Sequence, residues 1–505
     1  MTMTILTPKL PFRPEETHLS WATRLSALHG TDSLRPFLTD MGIKPVDLIT
    51  GRPAAVNRLC EVAGQAPGPV WLNTAMSDGK HSYSLRGETL PVSMILRDET
   101  RFCPLCLLED DEAAGGTKYN RSARLDWSLR VVTTCARHNL RLAPRLRPRG
   151  AGELHGIREL VPERGQQLVA LADELPRREP SPIQTYVINR LNGETGPAWL
   201  DRQSLEQAVK ATQMLGIVMT FGAKVMMGRV DSEDLDFAGR NGWKFTSFGE
   251  AGVNEALTML QGNAYRQDIG GQNYATVFGA LYNWLREPGE RSDHGPIKKL
   301  LRNYIINNMD VTVGRELLGK RIERRLKYSA QSLALETGLH RQTLRKVLVN
   351  RGLVASEDAD KSNSVVLVDT VPGLDAAEAL CRAVPFLGLQ AYLNASLPVV
   401  RTLIDLGLLT PLHRSKTPKG RDKCGFDGRE VGALLDRVHS LAPEIQHHDA
   451  EWITLTQCTK RARVTMQSVL KLVFDGQIKG IGRCVGETGF KAIRIDLDEI
   501  RRLNS

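Results

Sequence analysis

Four residues constrain this chain more than any other feature: Cys103, Cys106, Cys135 and His138, spaced C-x2-C-x28-C-x2-H. Two ligands separated by two residues form one chelating knuckle, and two knuckles supply the four ligands of a closed tetrahedral zinc site. Cysteine thiolates favour zinc over magnesium or calcium. The spacing therefore predicts one Zn²⁺ site.

A complete ligand set predicts a structural role for this metal. A catalytic zinc site keeps one position open for water, whereas Cys3His already fills all four. Zinc deaminases also need an H-x-E motif before P-C-x-x-C, and here Arg101 and Phe102 precede the first knuckle. The acidic residues 109–112 are interpreted as a solvated acidic turn. We expect no catalytic residue in the motif, and a module that unfolds without its metal.

Composition restricts the partners. The 505-residue chain has a formal net charge of +10, which favours an acidic partner such as nucleic acid. Its apolar runs are too short to span a bilayer, and its first residues lack the apolar region of a secretory signal. We therefore expect a cytoplasmic, nucleoid-associated protein without membrane contact. Five cysteines outside the motif are scattered, which predicts reduced thiols: Cys60, Cys381, Cys424, Cys458 and Cys484.

Hydrophobic periodicity and breaker residues predict a mainly α multidomain fold. An N-terminal helical and zinc-finger module is followed by a helical region and by several helix-turn-helix or winged-helix-like units. We predict the N-terminal module at 1–150 and the helical region, ending in a basic helix-turn-helix, at 151–355. Two winged helix-turn-helix-like repeats follow at 365–440 and 450–505.

The two repeats are visible as self-similarity at an offset of 69 residues. Val400 then matches Val469, and Asp427 matches Asp496. Each unit is predicted to run helix, turn, helix, glycine stop, a short strand or loop excursion, and an Asp-capped helix.

Residues 328–354 follow the same plan, with Gly338 at the turn and Gly352 after the second helix. Residues 313–351 hold ten Lys/Arg against three Asp/Glu, so positive charge is concentrated there. Arginine and glutamine contact base edges, and lysine neutralises phosphate. We expect the second helix to present four such residues on the face opposite its apolar one: Arg341, Gln342, Arg345 and Lys346. A helical hairpin with a solvated basic face, or one that contacts protein, is the alternative.

The repeats add further basic residues. The excursion of the first repeat is a candidate phosphate-contacting wing with Arg414, Lys416, Lys419 and Arg421. Its second helix is mostly apolar and offers little for reading bases. The last repeat carries polar and basic residues before and within its second helix: Lys460, Arg461, Arg463, Gln467, Ser468 and Lys471. For both repeats, DNA contact and protein contact or packing stand as equal alternatives.

The N-terminal motifs resemble the TniQ family of TnsD/TniQ-like transposition target-selection proteins. "HLSWATRL" resembles the family's N-terminal helix, "RFCPLCLLED" its first knuckle, and residues 119–142, with Trp127, its link to the second knuckle. The resemblance is good over 15–150, weaker to 355 and absent beyond. It implies a non-catalytic adaptor that recognises a target DNA, or an effector bound to one, and recruits an AAA+ ATPase and a transposase. It also implies that the four ligands hold the zinc.

Other classes of function stay open beside the adaptor. A helix-turn-helix transcription regulator would use the same basic helices without any transposase. An enzyme would need a site that one sequence does not reveal. The P-loop-like residues 314–321 end in Arg321, where a P-loop has the magnesium-binding hydroxyl. We expect no catalytic residues and no small-molecule substrate, double-stranded DNA as a partner, and we leave self-association open.

Overall fold

The computed structural model describes residues 5–31, 33–79, 81–113, 119–147, 156–287, 293–358, 360–416, 422–446 and 451–504. In these ranges the fold is mainly α-helical, as predicted, with 24 α-helices and small sheets. The chain divides into two compact units. The first contains Met1–Ala264 and Asn273–Tyr304, and the second contains Tyr265–Gln272 and Ile305–Ser505. The four segments predicted from the sequence stay a prediction.

The chain up to residue 308 contains fifteen described helices and seven described strands. The helices are α1 (His18–Leu28), α2 (Leu34–Asp40), α3 (Pro45–Ile49), α4 (Pro53–Ala63), α5 (Pro67–Leu72), α6 (Pro104–Glu112), α7 (Ile157–Leu160), α8 (Gln166–Asp173), α9 (Pro182–Leu191), α10 (Ala198–Asp201), α11 (Leu205–Phe221), α12 (Ser232–Thr246), α13 (Gly249–Arg266), α14 (Ala275–Arg286) and α15 (Pro296–Asn308). The strands are β1 (Met76–Ser77), β2 (Ser82–Leu85), β3 (Glu88–Pro91), β4 (Glu99–Phe102), β5 (Thr134–Cys135), β6 (Leu140–Arg141) and β7 (Ala143–Leu146).

Helices α1 to α5 pack around one apolar core that includes Trp21 and Leu25, both fully buried. The indole N–H of Trp21 donates to the carbonyl of Leu10 at 3.0 Å, so the one polar atom of this side chain is satisfied. Proline begins α3, α4 and α5, where its fixed φ suits the first helical turn and its missing N–H costs nothing. Beyond this core, β1, β2 and β3 form one antiparallel sheet, and β4–β7 and β5–β6 form two antiparallel pairs.

Helices α11 and α12 approach closely because glycine occupies the contact. A Cβ at Gly216 would lie 1.8 Å from the carbonyl oxygen of Ala238, and one at Gly242 would lie 1.9 Å from that of Thr212. The two backbones therefore touch where any other residue would force them apart.

The second unit continues with nine described helices and eleven described strands. The helices are α16 (Ala330–Thr337), α17 (Arg341–Asn350), α18 (Thr370–Cys381), α19 (Phe386–Leu393), α20 (Leu397–Asp405), α21 (Gly428–Leu441), α22 (Leu455–Arg461), α23 (Met466–Phe474) and α24 (Leu497–Asn504). The strands are β8 (Glu316–Leu317), β9 (Lys320–Arg321), β10 (Lys327–Ser329), β11 (Leu367–Asp369), β12 (Ala383–Pro385), β13 (His413–Lys416), β14 (Asp422–Asp427), β15 (Glu444–Ile445), β16 (Trp452–Thr454), β17 (Ile481–Cys484) and β18 (Ile493–Asp496).

The offset of 69 residues is confirmed by the element boundaries. Strand β12 matches β16, α19 matches α22, α20 matches α23, and α21 begins 69 residues before α24. The sheet order β12-β14-β13 is that of β16-β18-β17, with β15 added in parallel at the edge of the latter. Asp427 accepts a hydrogen bond from the N–H of Arg429, and Asp496 accepts from two N–H groups of α24. Both therefore cap the helices as predicted.

Residues 327–381 follow the same order with one strand fewer, as β10, α16, α17, β11 and α18. In all three units the turn between the first two helices contains one residue in the left-handed region. These residues are Gly338, Asn394 and Arg463, with φ of 68°, 45° and 55°. The unit of 327–381 has its own apolar core, and one continuous core joins the other two units.

The scattered cysteines behave as ordinary core or surface thiols. Within the described ranges no disulfide forms. Burial raises the pKa of the Cys60 and Cys458 thiols to about 11, so both stay protonated and unreactive near neutral pH. None of the described helices is long and apolar enough to cross a membrane.

Candidate functional site

The four predicted ligands come together from two short backbone motifs. Cys103 is the N-cap residue of α6 and directly follows β4, and Cys106 lies in the first turn of the same helix. Cys135 ends β5, and His138 lies in the turn that leads to β6. The three cysteines are buried and the histidine is half-buried, so bulk water is largely excluded.

The distances among the ligand atoms fit one tetrahedral metal ion. Nδ1 of His138 lies 3.4 Å from Sγ of Cys103, 3.3 Å from Sγ of Cys106 and 3.6 Å from Sγ of Cys135. The sulfurs of Cys106 and Cys135 are 3.6 Å apart. Tetrahedral zinc, with bonds of about 2.3 Å to sulfur and about 2.0 Å to nitrogen, places two sulfurs about 3.8 Å apart and a sulfur about 3.5 Å from the nitrogen. The cluster therefore has the ligands and the size for one metal ion.

Glu109 extends this site beyond its four ligands. Its Oε1 lies 3.1 Å from Nε2 of His138, the ring nitrogen that faces away from the cysteines. A carboxylate in this position fixes the tautomer and orientation of a ligating histidine. Cys106 and Glu109 are three residues apart and share one face of α6, so their spacing in the sequence was a usable signal.

The interpretation of residues 109–112 as a solvated acidic turn was wrong. They belong to α6, and Asp110 is only 7% exposed. Asp110 forms ion pairs with Arg13 and Arg124, at 3.4 and 3.3 Å. Asp111 pairs with Arg121 at 2.6 Å. These carboxylates join the knuckle helix to neighbouring segments, because helix α6 turns them towards arginines that lie 10, 14 and 97 residues away in the sequence.

The residues of the N-terminal motif join α1 to the segment before the second knuckle. The hydroxyl of Ser20 accepts from the N–H of Ala123 at 2.8 Å. Arg24 forms a buried ion pair with Glu16 at 2.6 Å and donates to the carbonyl of Tyr119 at 3.0 Å. These contacts hold α1 against the metal-binding module.

Trp127 is buried in the same module, in a short turn that packs on β4, the strand leading to Cys103. The guanidinium of Arg124 lies 5.0 Å from the centre of its indole ring. This tryptophan thus supports the strand that positions the first knuckle.

In the second unit, helix α17 presents three of its four predicted DNA-contacting residues to solvent. Arg341, Gln342 and Lys346 are exposed, whereas Leu344 and Leu348 are buried in the core. The apolar face of α17 is thereby fixed against its own unit, and its polar face stays accessible.

The predicted orientation of Arg345 was wrong. Its side chain is 7% exposed, and its guanidinium donates to the backbone carbonyls of Asp358 and Lys361 and to Asn363. Residue 345 follows Leu344 directly and borders the apolar face, where Asp358, Lys361 and Asn363 accept its hydrogen bonds. Arg345 therefore holds these three residues on α17 instead of facing solvent.

Gln342 and Lys346 meet Arg414 of β13 in one groove of about 720 Å³. Lys361 and Asn363 also line it. The sequence analysis missed both because they lie between the helical region predicted to end at 355 and the repeat predicted to begin at 365. Among the described residues that line this groove there are four cations and no carboxylate: Gln342, Arg345, Lys346, Val349, Asn350, Lys361, Asn363, Thr410, Pro411 and Arg414. The groove is therefore electropositive. Arg341 is not among its lining residues.

Three predicted wing residues are not placed at this groove. Lys416 ends β13, but its side chain is not described. Lys419 and Arg421 lie outside the described residues. Their role as phosphate contacts stays a prediction.

Comparison with known proteins identifies the N-terminal module. Residues 8–142 match the TniQ family model, a range that contains α1 to α6 and all four metal ligands. No curated protein matches the chain. The match ends well before α17. The chain therefore carries a TniQ-family domain at residues 8–142.

Proposed function

We propose that this chain is a non-catalytic, DNA-binding adaptor of DNA transposition. It selects the target site and recruits an AAA+ ATPase and a transposase through the rest of its surface. The TniQ domain supports the link to transposition. The single observation that carries DNA binding is the electropositive groove beside α17, in which Gln342, Lys346 and Arg414 converge.

In this proposal, the units in the second half of the chain act as helix-turn-helix modules. Helix α17 follows α16 after a tight turn at Gly338 and exposes Gln342 and Lys346. Glutamine suits the edge of adenine in the major groove, and lysine suits guanine or phosphate. Arg414, from the strand pair of the next unit, lines the same groove and in this proposal neutralises a phosphate. Arg341 lies at the first position of α17 and adds charge at its exposed end.

The metal in this proposal is Zn²⁺ in a structural role. Three thiolates and one imidazole are a preferred zinc set, and four protein ligands leave no open position. When bound, zinc supplies a rigid crosslink between the two knuckles. The chain's own residues do the remaining work: α6 holds Cys106 and Glu109 on one face, and Glu109 orients His138.

A binding measurement with duplex DNA of mixed sequence tests the DNA contact. We expect affinity to fall steeply with salt, and Lys346→Ala and Arg414→Ala to weaken binding and each to reduce the salt slope by about 1. Lys244→Ala removes an exposed lysine from α12 and serves as the matched control. An affinity for DNA that changes neither with salt concentration nor with either substitution would contradict DNA contact at this groove.

Insertion mapping tests the adaptor role. The chain is expressed with a cognate transposase and ATPase, and insertions are mapped with the wild type, with Lys346→Ala, and without the chain. We expect the preferred target to be lost without the chain. An unchanged insertion pattern, together with DNA binding that is intact, would favour the transcription regulator instead.

A further inference from the structure

The three repeated units differ in the residues that their second helices carry at three positions. These helices are α17, α20 and α23. In α17 the second residue is Gln342, the third is Thr343 and the sixth is Lys346. In α23 the same positions hold Gln467, Ser468 and Lys471. The glutamine, a hydroxyl and the lysine thus recur 125 residues apart. In α20 the corresponding residues are Pro398, Val399 and Thr402.

The match extends from sequence to placement. Both glutamines and both lysines are exposed, and both hydroxyl residues are half-buried. Beneath them, Val469 and Leu470 are fully buried in the core shared by the last two units. This packing fixes the polar face of α23 as firmly as Leu344 and Leu348 fix that of α17.

The surroundings of α23 are positively charged as well. Lys460 and Arg463, in the last turn of α22 and in the turn between the helices, are exposed. In the repeated unit of 327–381 the equivalent residues are Leu335 and Gly338. Because the polar pair recurs in a setting that is again basic, its partner is expected to carry negative charge as well as hydrogen-bonding edges. Duplex DNA has both properties in its major groove.

We infer that α23 is a second base-reading helix, so that the chain contacts duplex DNA at two separate segments, one under α17 and one under α23. The inference rests on the proposed function, since α17 supplies the pattern. The middle unit contributes Arg414 to the groove of α17 and separates the two reading helices. Matched side chains favour matched bases, so the two DNA segments are expected to share a short adenine-containing sequence.

Footprinting tests this inference. Bound duplexes are selected from a randomised library with the full-length wild-type chain, and the selected DNA is mapped by hydroxyl-radical protection. Three variants are then compared on that DNA: Gln342→Ala/Lys346→Ala, Gln467→Ala/Lys471→Ala, and the control Lys244→Ala. Because all of these side chains are exposed, their thermal unfolding should match that of the wild type.

We expect two protected segments, each lost in only one of the double variants. The α23 variant should bind about 10-fold more weakly or worse, the loss expected for one bidentate base contact. Lys471→Arg should retain the salt slope of the wild type, whereas Lys471→Ala should lower it by about 1. A purely structural role for Lys471 would not produce this difference.

Two other outcomes overturn the inference and are distinguishable. If the α17 variant weakens binding while the α23 variant leaves protection and affinity unchanged, the proposed function stands and the second reading helix does not exist. If neither double variant changes binding, the DNA contact at α17 is wrong, and the inference falls with it.

Discussion

Nε2 of His138 lies 3.1 Å from Oε1 of Glu109, while Nδ1 of the same ring faces three cysteine sulfurs. The imidazole is thus held from both sides. One helix supplies the carboxylate and one of the sulfurs, because Glu109 follows Cys106 by less than one turn of α6.

Glu109→Gln should weaken metal binding by about 10- to 100-fold, because an amide orients and polarises the imidazole less well than a carboxylate. Competition with a chromophoric chelator measures this affinity. Glu112→Gln, which changes an exposed carboxylate at the end of the same helix, is the control and should bind metal like the wild type. Equal metal affinities for the two variants would contradict a role of Glu109 in orienting His138.

Metal removal should unfold the N-terminal module. Zinc binding in closed sites contributes about 10–16 kcal/mol at neutral pH, and the buried thiols have no other crosslink in the described structure. We expect chelation to expose Trp21 and Trp127, both buried, and to shift tryptophan fluorescence to longer wavelength. Restoring Zn²⁺ should reverse the shift, and Mg²⁺ should not. A fluorescence spectrum unchanged by complete metal removal would contradict a structural role.

The sequence predicted what depends on spacing and missed what depends on distant contacts. The four ligands follow from the spacing of their motif, and the offset of 69 residues follows from self-similarity of the sequence; the structure agrees with both. Arg345 was misplaced because Asp358 and Lys361, whose carbonyls accept its hydrogen bonds, come from a segment with no periodicity. Asp110 was misread because a run of carboxylates resembles a solvated turn until its arginine partners are known. Glu109, which contacts His138, was missed although its spacing from Cys106 was a usable signal.

Arg345 and Lys346 are neighbours in sequence with opposite expected phenotypes. Arg345→Met should lower the free energy of unfolding by about 1.5–3 kcal/mol, because half-buried carbonyl acceptors lose a charged donor. Lys346→Ala should leave stability within about 0.5 kcal/mol of the wild type, because its side chain is exposed. Urea denaturation of each variant measures both values. Equal destabilisation would contradict the assigned orientations of the two side chains.

The close approach of α11 and α12 predicts that Gly216→Ala is strongly destabilising. Its Cβ would meet the carbonyl oxygen of Ala238 at 1.8 Å, so the helices must separate, at a cost of about 1–3 kcal/mol or more. Gly228→Ala is the matched control, because its Cβ would meet nothing within 4 Å. Thermal unfolding should show a clear drop for the first variant only, and similar midpoints would mean that the helices are not in contact at Gly216.

Substitutions at the turn residues of the repeated units are expected to change the free energy of unfolding in opposite directions. Gly338 has φ of 68°, and a Cβ there would meet nothing within 4 Å, so Gly338→Ala isolates the backbone cost of the left-handed region, about 1 kcal/mol. Arg463 occupies the equivalent position with φ of 55°, where any side chain is strained. Arg463→Gly should therefore stabilise the chain by up to about 1 kcal/mol, since relief of strain exceeds the extra entropy of glycine in the unfolded state.

Urea denaturation gives both changes, and Arg463→Ala, which keeps a Cβ, is the control. Stabilisation by alanine as large as that by glycine would show that the charge of Arg463, and not its backbone conformation, sets the effect.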